Sequence, residues 1–91
     1  MAFRIDRLSV GSSLIVLLVS GKLTGEHVDT LREFLRKESG TLVIDLNNVS
    51  IVDRDAVQVL ARAETDGMEL RNCPKYVREW VNREQLMRGE N

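Results

Sequence analysis

The chain lacks most of the features that define disulfide-bonded, metal-bound or disordered proteins. Its 91 residues include one cysteine, Cys73, so the sequence offers neither an intramolecular disulfide nor a cysteine metal cluster. This cysteine usage fits a reducing compartment, and we expect a cytoplasmic protein. There is one proline, and the 43% apolar and 30% charged residues give the composition of a soluble folded domain.

The chain also has little net charge and no long hydrophobic run. Its formal charge is -1 with both signs interspersed, which argues against a nucleic-acid partner and against a polybasic membrane patch. The longest apolar run, Leu14 to Val19, is far too short to span a bilayer. Residues 1–9 alternate charges instead of forming a signal-peptide core, so we expect no targeting segment and no membrane association.

The length of the chain favours one domain. Two domains of 91 residues in total would each be near or below the size at which a chain buries a core without a disulfide or a metal. We therefore predict a single domain over residues 1–91, with a polar tail after about Glu84 that frays.

The first part of the chain predicts a β-hairpin. Phe3, Ile5 and Leu8 alternate with charged residues, which indicates a half-exposed edge strand. Residues 14–19 read LIVLLV, a β-favouring run typical of a strand buried on both faces. The short Gly-Ser-Ser link at residues 11–13 favours antiparallel pairing of these two strands.

Three later stretches carry apolar residues at helical spacing. In chain order these residues are Val28, Leu31, Phe34 and Leu35, then Ala56, Val59, Leu60 and Ala63, and finally Val77, Trp80 and Val81. Gly40 and Gly67 are predicted to end the first two helices, and Pro74 to stand near the first turn of the third.

Strands are predicted between these helices. Thr41 to Leu46 forms one, followed by a polar turn at Asn47 and Asn48, and residues 68–73 form a short last one. The order is ββαβαβα. It predicts an α/β fold with a mixed sheet of about four strands, in which the opening pair is antiparallel and the others are parallel. Right-handed crossovers then bring the helices mainly to one face.

The start of the second helix is the first candidate site. An exposed helix N-terminus offers unpaired backbone N–H groups and a partial positive charge, so its first side chains decide what binds there. Here they are Asp53, Arg54 and Asp55. Farther along, Gln58, Arg62 and Thr65 continue a polar ridge from Arg54, which is either ordinary solvated surface or a protein contact.

Catalytic, metal-binding and cofactor-binding patterns are missing from the sequence. Asp45 lies at the end of a buried strand, where response-regulator receivers have their phospho-accepting aspartate. The chain lacks the acidic pair and the lysine of a receiver, so we expect Asp45 to form a turn instead. His27 lacks a nucleophile or carboxylate constellation and is expected at the surface, and Cys73 is expected to be a packing residue. Gly21 and Gly25 match no phosphate-loop spacing, so we predict a non-enzyme without cofactor or metal.

Several landmarks in order resemble a STAS domain, the module of bacterial anti-sigma factor antagonists and of sulfate-transporter tails. The resemblance spans nearly the whole chain. The landmarks are Gly21-Lys22-Leu23-Thr24, Leu42 to Val49 as LVIDLNNV, Ile51-Val52-Asp53 before a helix, and Gly67-Met68-Glu69-Leu70 before the last strand. The resemblance implies a STAS-like fold and a protein partner, namely a kinase-like anti-sigma factor or another regulatory protein.

The chain departs from the family pattern at the family's phosphorylation site. The family usually has Asp-Ser-Ser-Gly or Asp-Ser-Thr-Gly where this chain has Asp53-Arg54-Asp55-Ala56, and the first hydroxyl residue is the one phosphorylated. Arg54 has no hydroxyl and cannot accept a phosphoryl group. Asp55 imitates phosphoserine only partly and lies about 100° around the helix from Arg54. We therefore expect the serine switch to be lost.

We thus expect a protein-binding regulatory module that resembles an anti-sigma factor antagonist. The predicted contact residues are Gly21, Lys22, Thr24, Asn48, Ser50, Asp53, Arg54, Asp55, Gln58 and Arg62. Two alternatives remain. One is a constitutive structural subunit of a larger regulatory complex. The other is an enzyme or ligand binder that uses the strand ends near Asp45, although the sequence shows no cluster of polar residues that would support it.

Overall fold

Strands and helices follow one another in the predicted order. The structure is a computed structural model and describes residues 3–38 and 40–87. Its elements are β1 (Arg4–Val10), β2 (Leu14–Leu23), α1 (Glu26–Lys37), β3 (Thr41–Val52), α2 (Arg54–Thr65), β4 (Glu69–Arg71) and α3 (Lys75–Met87).

The strands form one mixed sheet in the order β1-β2-β3-β4. β1 and β2 are antiparallel, whereas the pairs β2–β3 and β3–β4 are parallel. Helix α1 connects the first parallel pair and α2 the second, as β-α-β units require. The predicted α/β architecture with a mixed four-stranded sheet is confirmed.

The core lies between one face of the sheet and the three helices. Its buried members include Ile15, Leu17 and Val19 of β2, Leu42, Ile44 and Leu46 of β3, Val28 and Leu31 of α1, Val57 and Leu60 of α2, and Val77 and Val81 of α3. Leu17, Ile44 and Leu60 are fully buried, and truncating such a side chain to alanine destabilises a protein by about 2 to 5 kcal/mol.

Strand β3 is longer than predicted. The expected polar turn at Asn47 and Asn48 is wrong, because the strand runs on without a break to Val52. β3 has twelve residues and pairs with β2, which has ten. The register between the two strands shifts once between Leu18 and Ser20 of β2 and again between Gly21 and Lys22, and each shift places one extra residue in β3.

These two bulges explain how a polar segment remains in a strand. The residues of β3 that belong to the main core are spaced by two up to Leu46, at Leu42 and Ile44, and then by three, at Val49 and at Val52. The extra residues let Asn47 and Asn48 both remain exposed, while the apolar side chains on either side of them reach the core.

The predicted helix end at Gly40 is also wrong, because α1 ends at Lys37 and its last cap residue is Glu38. Gly40 instead leads into β3 with φ of 99°, where a side chain would place its Cβ 3.0 Å from the carbonyl oxygen of Ser13. The positive φ and this close approach both favour glycine at the position.

Helix α2 ends as predicted, at a glycine in the left-handed region. Gly67 has φ of 102°, and its N–H donates to the carbonyl of Glu64. The N–H of Met68 donates to the carbonyl of Ala63, which completes a Schellman motif and turns the chain into β4.

The first residues of the predicted polar tail, 85–87, belong to helix α3. Helix α3 continues to Met87, and Glu84 itself is buried at 6% exposure. Residues 88–91 of the predicted tail lie outside the described residues. Within the described part of the chain, no helix combines the length and the apolar character that a membrane crossing requires.

Candidate functional site

Most of the predicted contact residues lie where β2 and β3 end. Because the two strands are parallel, their carboxyl ends lie at the same edge of the sheet, where Lys22 pairs with Ile51 and Leu23 pairs with Val52. Both α1 and α2 begin at this edge. We call residues 21–25 together with residues 48–55 the carboxyl-end surface.

Asp53 holds this surface together. Its Oδ1 accepts a hydrogen bond from the N–H of Ala56 at 2.9 Å, which caps α2, and its Oδ2 accepts one from the N–H of Gly25 at 2.9 Å. Gly25 is the residue that precedes α1, so a single carboxylate joins the starts of two helices. The amide of Gly25, followed by that of Ala56, lowers the pKa of Asp53.

Arg54 is the first residue of α2 and is exposed. Asp53, Asp55 and Gln58 lie within four residues of it in the sequence and are candidate partners for its guanidinium. Within residues 3–38 and 40–87, however, neither the Arg54 nor the Asp55 side chain makes a hydrogen bond or an ion pair. Among the described residues, Arg54 is therefore a cation without a partner next to the Asp53 cap.

The β2–α1 corner is fixed by His27. Its Nδ1–H donates to the carbonyl of Lys22 at 2.9 Å, its backbone N–H donates to the carbonyl of Thr24 at 3.0 Å, and its ring stacks on Phe3 at 4.3 Å. The expected surface histidine is therefore half-buried and structural. Lys22 is exposed, whereas Gly21 is buried in β2 and offers a partner little accessible surface of its own.

Asn48 and Ser50 are both exposed on β3. Two exposed apolar residues lie beside them, Ile51 at 47% and Tyr76 at 48% exposure, and sequence reasoning missed Tyr76. The Tyr76 hydroxyl donates to the carbonyl of Ser50 at 3.3 Å, which fixes its ring next to this strand end. Alternation continued through the end of β3 would have placed Ile51 at the surface, but no local pattern connects Tyr76 to it.

The structure separates the last two predicted contact residues from the others. Gln58 is half-buried and donates to Oε1 of Glu84 at 3.3 Å, so it joins α2 to α3. Arg62 is exposed and pairs with Asp66 at 3.5 Å. Arg62 lies eight residues from Arg54, about 12 Å along the helix at 1.5 Å per residue, and borders a groove between α1 and α2.

Asp45 and Cys73, whose side chains can take part in catalysis in other proteins, stabilise the fold here. Asp45 accepts hydrogen bonds from the N–H of Asn47 at 2.9 Å and from the Asn72 side chain at 3.1 Å, so it supports the first bulge of β3. Cys73 packs against the core, and burial raises the pKa of its thiol, which disfavours the reactive thiolate. The described residues contain no group of three histidine, cysteine or acidic side chains that could hold a metal.

No family model and no curated protein matches the sequence. A solved structure, that of the anti-sigma factor antagonist SpoIIAA in its unphosphorylated form, is similar with a TM-score of 0.53 and 16% sequence identity. The match covers 92% of this chain and 98% of that chain. The fold is STAS-like.

This likeness concerns the fold. At 16% identity, the similarity extends to the arrangement of the helices and strands. The chemistry of the carboxyl-end surface depends on the side chains of this chain. Those side chains are a carboxylate that joins two helix starts, an unpaired guanidinium beside it, and a rim that includes Lys22, Ile51 and Tyr76.

Proposed function

We propose that the protein is a cytoplasmic, non-enzymatic regulatory module that acts by binding another protein, in the manner of an anti-sigma factor antagonist. The observation that supports this most is the unpaired Arg54 beside the Asp53 cap. Among the described residues the Arg54 guanidinium has no ion pair to give up on binding, and arginine is enriched among the residues that dominate protein interfaces.

The proposed contact centres on the carboxyl-end surface, with Gln58 and Arg62 at its outer limit. Exposed apolar side chains at Ile51 and Tyr76 supply area that loses water on binding, and Lys22 and Arg54 supply positive charge. A protein partner with an acidic patch around an apolar centre complements this arrangement.

The proposed module lacks the family's serine switch. The resemblance to STAS domains aligns Arg54 with the phosphorylated residue, and the Arg54 side chain has no hydroxyl to receive a phosphoryl group. A kinase-like anti-sigma factor that reads a neutral serine would meet a bulky cation there, which shifts preference toward an acidic partner surface. Partner release would then depend on competition or on modification at another residue.

The test begins with affinity capture from the native lysate, with this domain as bait, to identify the partner. The purified pair is then titrated by calorimetry with the wild type, Arg54→Ala and the control Arg83→Ala. Arg83 is exposed on α3, away from the carboxyl-end surface. We expect Arg54→Ala to weaken binding by about tenfold or more, equivalent to about 1.4 kcal/mol, and Arg83→Ala to leave it unchanged. Equal affinities for the two variants would refute the assignment.

A second candidate function is a constitutive structural subunit of a larger regulatory complex. The missing hydroxyl at Arg54 favours it, because a subunit that does not switch needs no phosphorylation site. Incubation with the captured partner and ATP, followed by intact-mass analysis, separates the two functions. A gain of one phosphate at Ser50 or another residue would support a switching regulator. An unchanged mass, in a complex that a competing partner also fails to dissociate, would support the constitutive subunit.

A further inference from the structure

The carboxyl-end surface is made from two separate parts of the chain, residues 21–25 and residues 48–55. Strand pairing joins the two parts as far as Leu23 and Val52, which are the last paired residues of β2 and β3. Beyond this pair, one strand leads into α1 and the other leads into α2. The hydrogen bonds of the sheet therefore no longer fix the two helix starts relative to each other.

One carboxylate connects the two helix starts beyond the sheet. Oδ2 of Asp53 accepts from the N–H of Gly25 and Oδ1 accepts from the N–H of Ala56, both at 2.9 Å. Gly25, the N-cap residue of α1, has φ of 56° and no side chain with which to cap the helix. Among the described residues, α1 buries Val28 and Leu31, whereas α2 buries five residues. The Asp53 bridge, as we call this pair of hydrogen bonds, thus holds the less anchored of the two helix starts.

Asp53 is more enclosed than the two side chains that follow it. It is half-buried, and both oxygens of its carboxylate accept hydrogen bonds within the protein. Arg54 and Asp55 are exposed, and within residues 3–38 and 40–87 their side chains make no hydrogen bond or ion pair. The sequence predicts all three as contact residues. In the structure, Arg54 and Asp55 face solvent, whereas the Asp53 carboxylate is engaged inside the protein.

We infer that Asp53 is a positioning residue of the proposed interface. The Asp53 bridge keeps Thr24 and the start of α1 at a fixed place relative to Arg54, so that a partner protein meets both helix starts as one surface. Order that already exists in the free protein reduces the conformational freedom lost on binding, and this raises affinity. The inference rests on the proposed function, because it concerns how that same interface is arranged before the partner binds.

Asp53→Asn separates positioning from helix capping and from charge. Asparagine caps a helix about as well as aspartate, but its side chain keeps one oxygen in place of two, and its NH₂ group cannot accept a hydrogen bond. One N–H of the bridge therefore loses its acceptor. The change also removes a negative charge beside Arg54, which by itself strengthens the binding of an acidic partner. A loss of affinity would thus be opposite in sign to the effect of charge.

Asp55→Asn is the matched control. It removes the same charge two residues away, from a side chain that makes no hydrogen bond among the described residues. Its effect on binding therefore reports the charge alone. Urea unfolding at neutral pH confirms that both variants are folded under the conditions of each measurement.

The first measurement uses the free ¹⁵N-labelled protein, so it needs no partner. Solvent-exchange rates of the backbone amides are compared by NMR at neutral pH in the wild type and both variants. We expect the Gly25 amide to exchange about tenfold faster or more in Asp53→Asn, and the Ala56 amide to change by less than about threefold. An unchanged Gly25 rate would overturn the inference, as would an equal acceleration throughout both helices, which indicates a general loss of stability.

The second measurement titrates the partner obtained by affinity capture into the same proteins and into Arg54→Ala, by calorimetry. We expect Asp53→Asn to weaken binding by about fivefold to tenfold and Asp55→Asn to strengthen it. If Arg54→Ala weakens binding but Asp53→Asn does not, the inference is overturned and the proposed function stands. Equal weakening by Asp53→Asn and Asp55→Asn would also overturn it. Unchanged affinity in all three variants would instead refute the proposed interface itself, and the inference with it.

Discussion

Asp53 has a structural role that its position in the sequence does not reveal. As a helix N-cap it was predictable, because an acidic residue directly before an amphipathic helix commonly accepts an N–H from the first turn. Its second hydrogen bond, to the N–H of Gly25, joins residues 28 positions apart and depends on the parallel pairing of β2 with β3. Long-range contacts of this kind have no local signature.

We expect Asp53→Ala to destabilise the protein by about 1 to 2 kcal/mol. The change removes the cap, which contributes about 1 kcal/mol, and the hydrogen bond to the exposed N–H of Gly25, which water replaces in part. Urea unfolding at neutral pH measures the difference. Asp55→Ala is the control, because the Asp55 side chain makes no hydrogen bond within the described residues, and an equal loss in both variants would contradict the two-helix role of Asp53.

Arg54 illustrates the opposite case at the same scale. Its position and its lack of a hydroxyl follow from the sequence, but its freedom from any partner in the described chain does not, since three acceptors stand within reach on the same helix start. Side-chain geometry decided between those acceptors and solvent. The exposed Tyr76 was missed for a related reason, because α3 brings it to β3 from a distant part of the sequence.

At the scale of elements, periodic segments were predictable and β3 was not. The helices follow from apolar residues at a spacing of three and four, and they appear where expected. In β3, local turn preference at Asn47 and Asn48 competes with ladder pairing to β2, and the pairing wins because two bulges keep the polar side chains out of the core.

Helices α2 and α3 are joined by a bidentate ion pair. Arg78 donates to both carboxylate oxygens of Glu64, at 2.8 Å and 2.5 Å, and Gln85 donates to the same carboxylate at 3.0 Å. Each side chain of the pair is only 31% exposed, so solvent screens this ion pair less than a fully exposed one. The geometry is that of a strong charge-assisted interaction.

A double-mutant cycle of Glu64→Ala and Arg78→Ala should give a coupling free energy of about 1 to 2 kcal/mol. The exposed pair of Asp29 and Arg32 on α1 is the matched control, with an expected coupling of about 0 to 0.5 kcal/mol. Urea unfolding of the single and double variants supplies both values. Comparable coupling in the two cycles would mean that the α2–α3 pair is no stronger than an ordinary surface pair.

At the scale of the whole molecule, the carboxylates of Asp53 and Glu64 make the free energy of unfolding depend on pH in acid. The amides of Gly25 and Ala56 lower the pKa of Asp53, and the hydrogen bonds from Arg78 lower the pKa of Glu64. A carboxyl group whose pKa is lowered by folding stabilises the protein above its unfolded pKa, and that contribution is lost as the pH falls through the folded pKa.

The free energy of unfolding should therefore be steady near neutral pH and fall below about pH 5, toward and past the unfolded pKa values near 4. Asp53→Asn and Glu64→Gln should each flatten this decline, because the variant side chain no longer titrates. Urea midpoints between about pH 7 and pH 3 measure the slope. Glu79→Gln, an exposed change on α3, should keep the wild-type slope, and identical slopes in all four proteins would exclude these two carboxyl groups as its cause.

The two extra residues of β3 limit which insertions and deletions the molecule can accept. Each bulge reverses the face to which the following side chains point, and the second reversal undoes the first, so Val52 reaches the core in the same phase as Leu46. Loss of the one extra residue at either bulge would remove that bulge, and Ile51 and Val52 would keep their partners Lys22 and Leu23. Loss of one residue with both bulges kept would turn Ile51 inward and Val52 outward, so changes in the length of this strand between related proteins should fall at the two bulges.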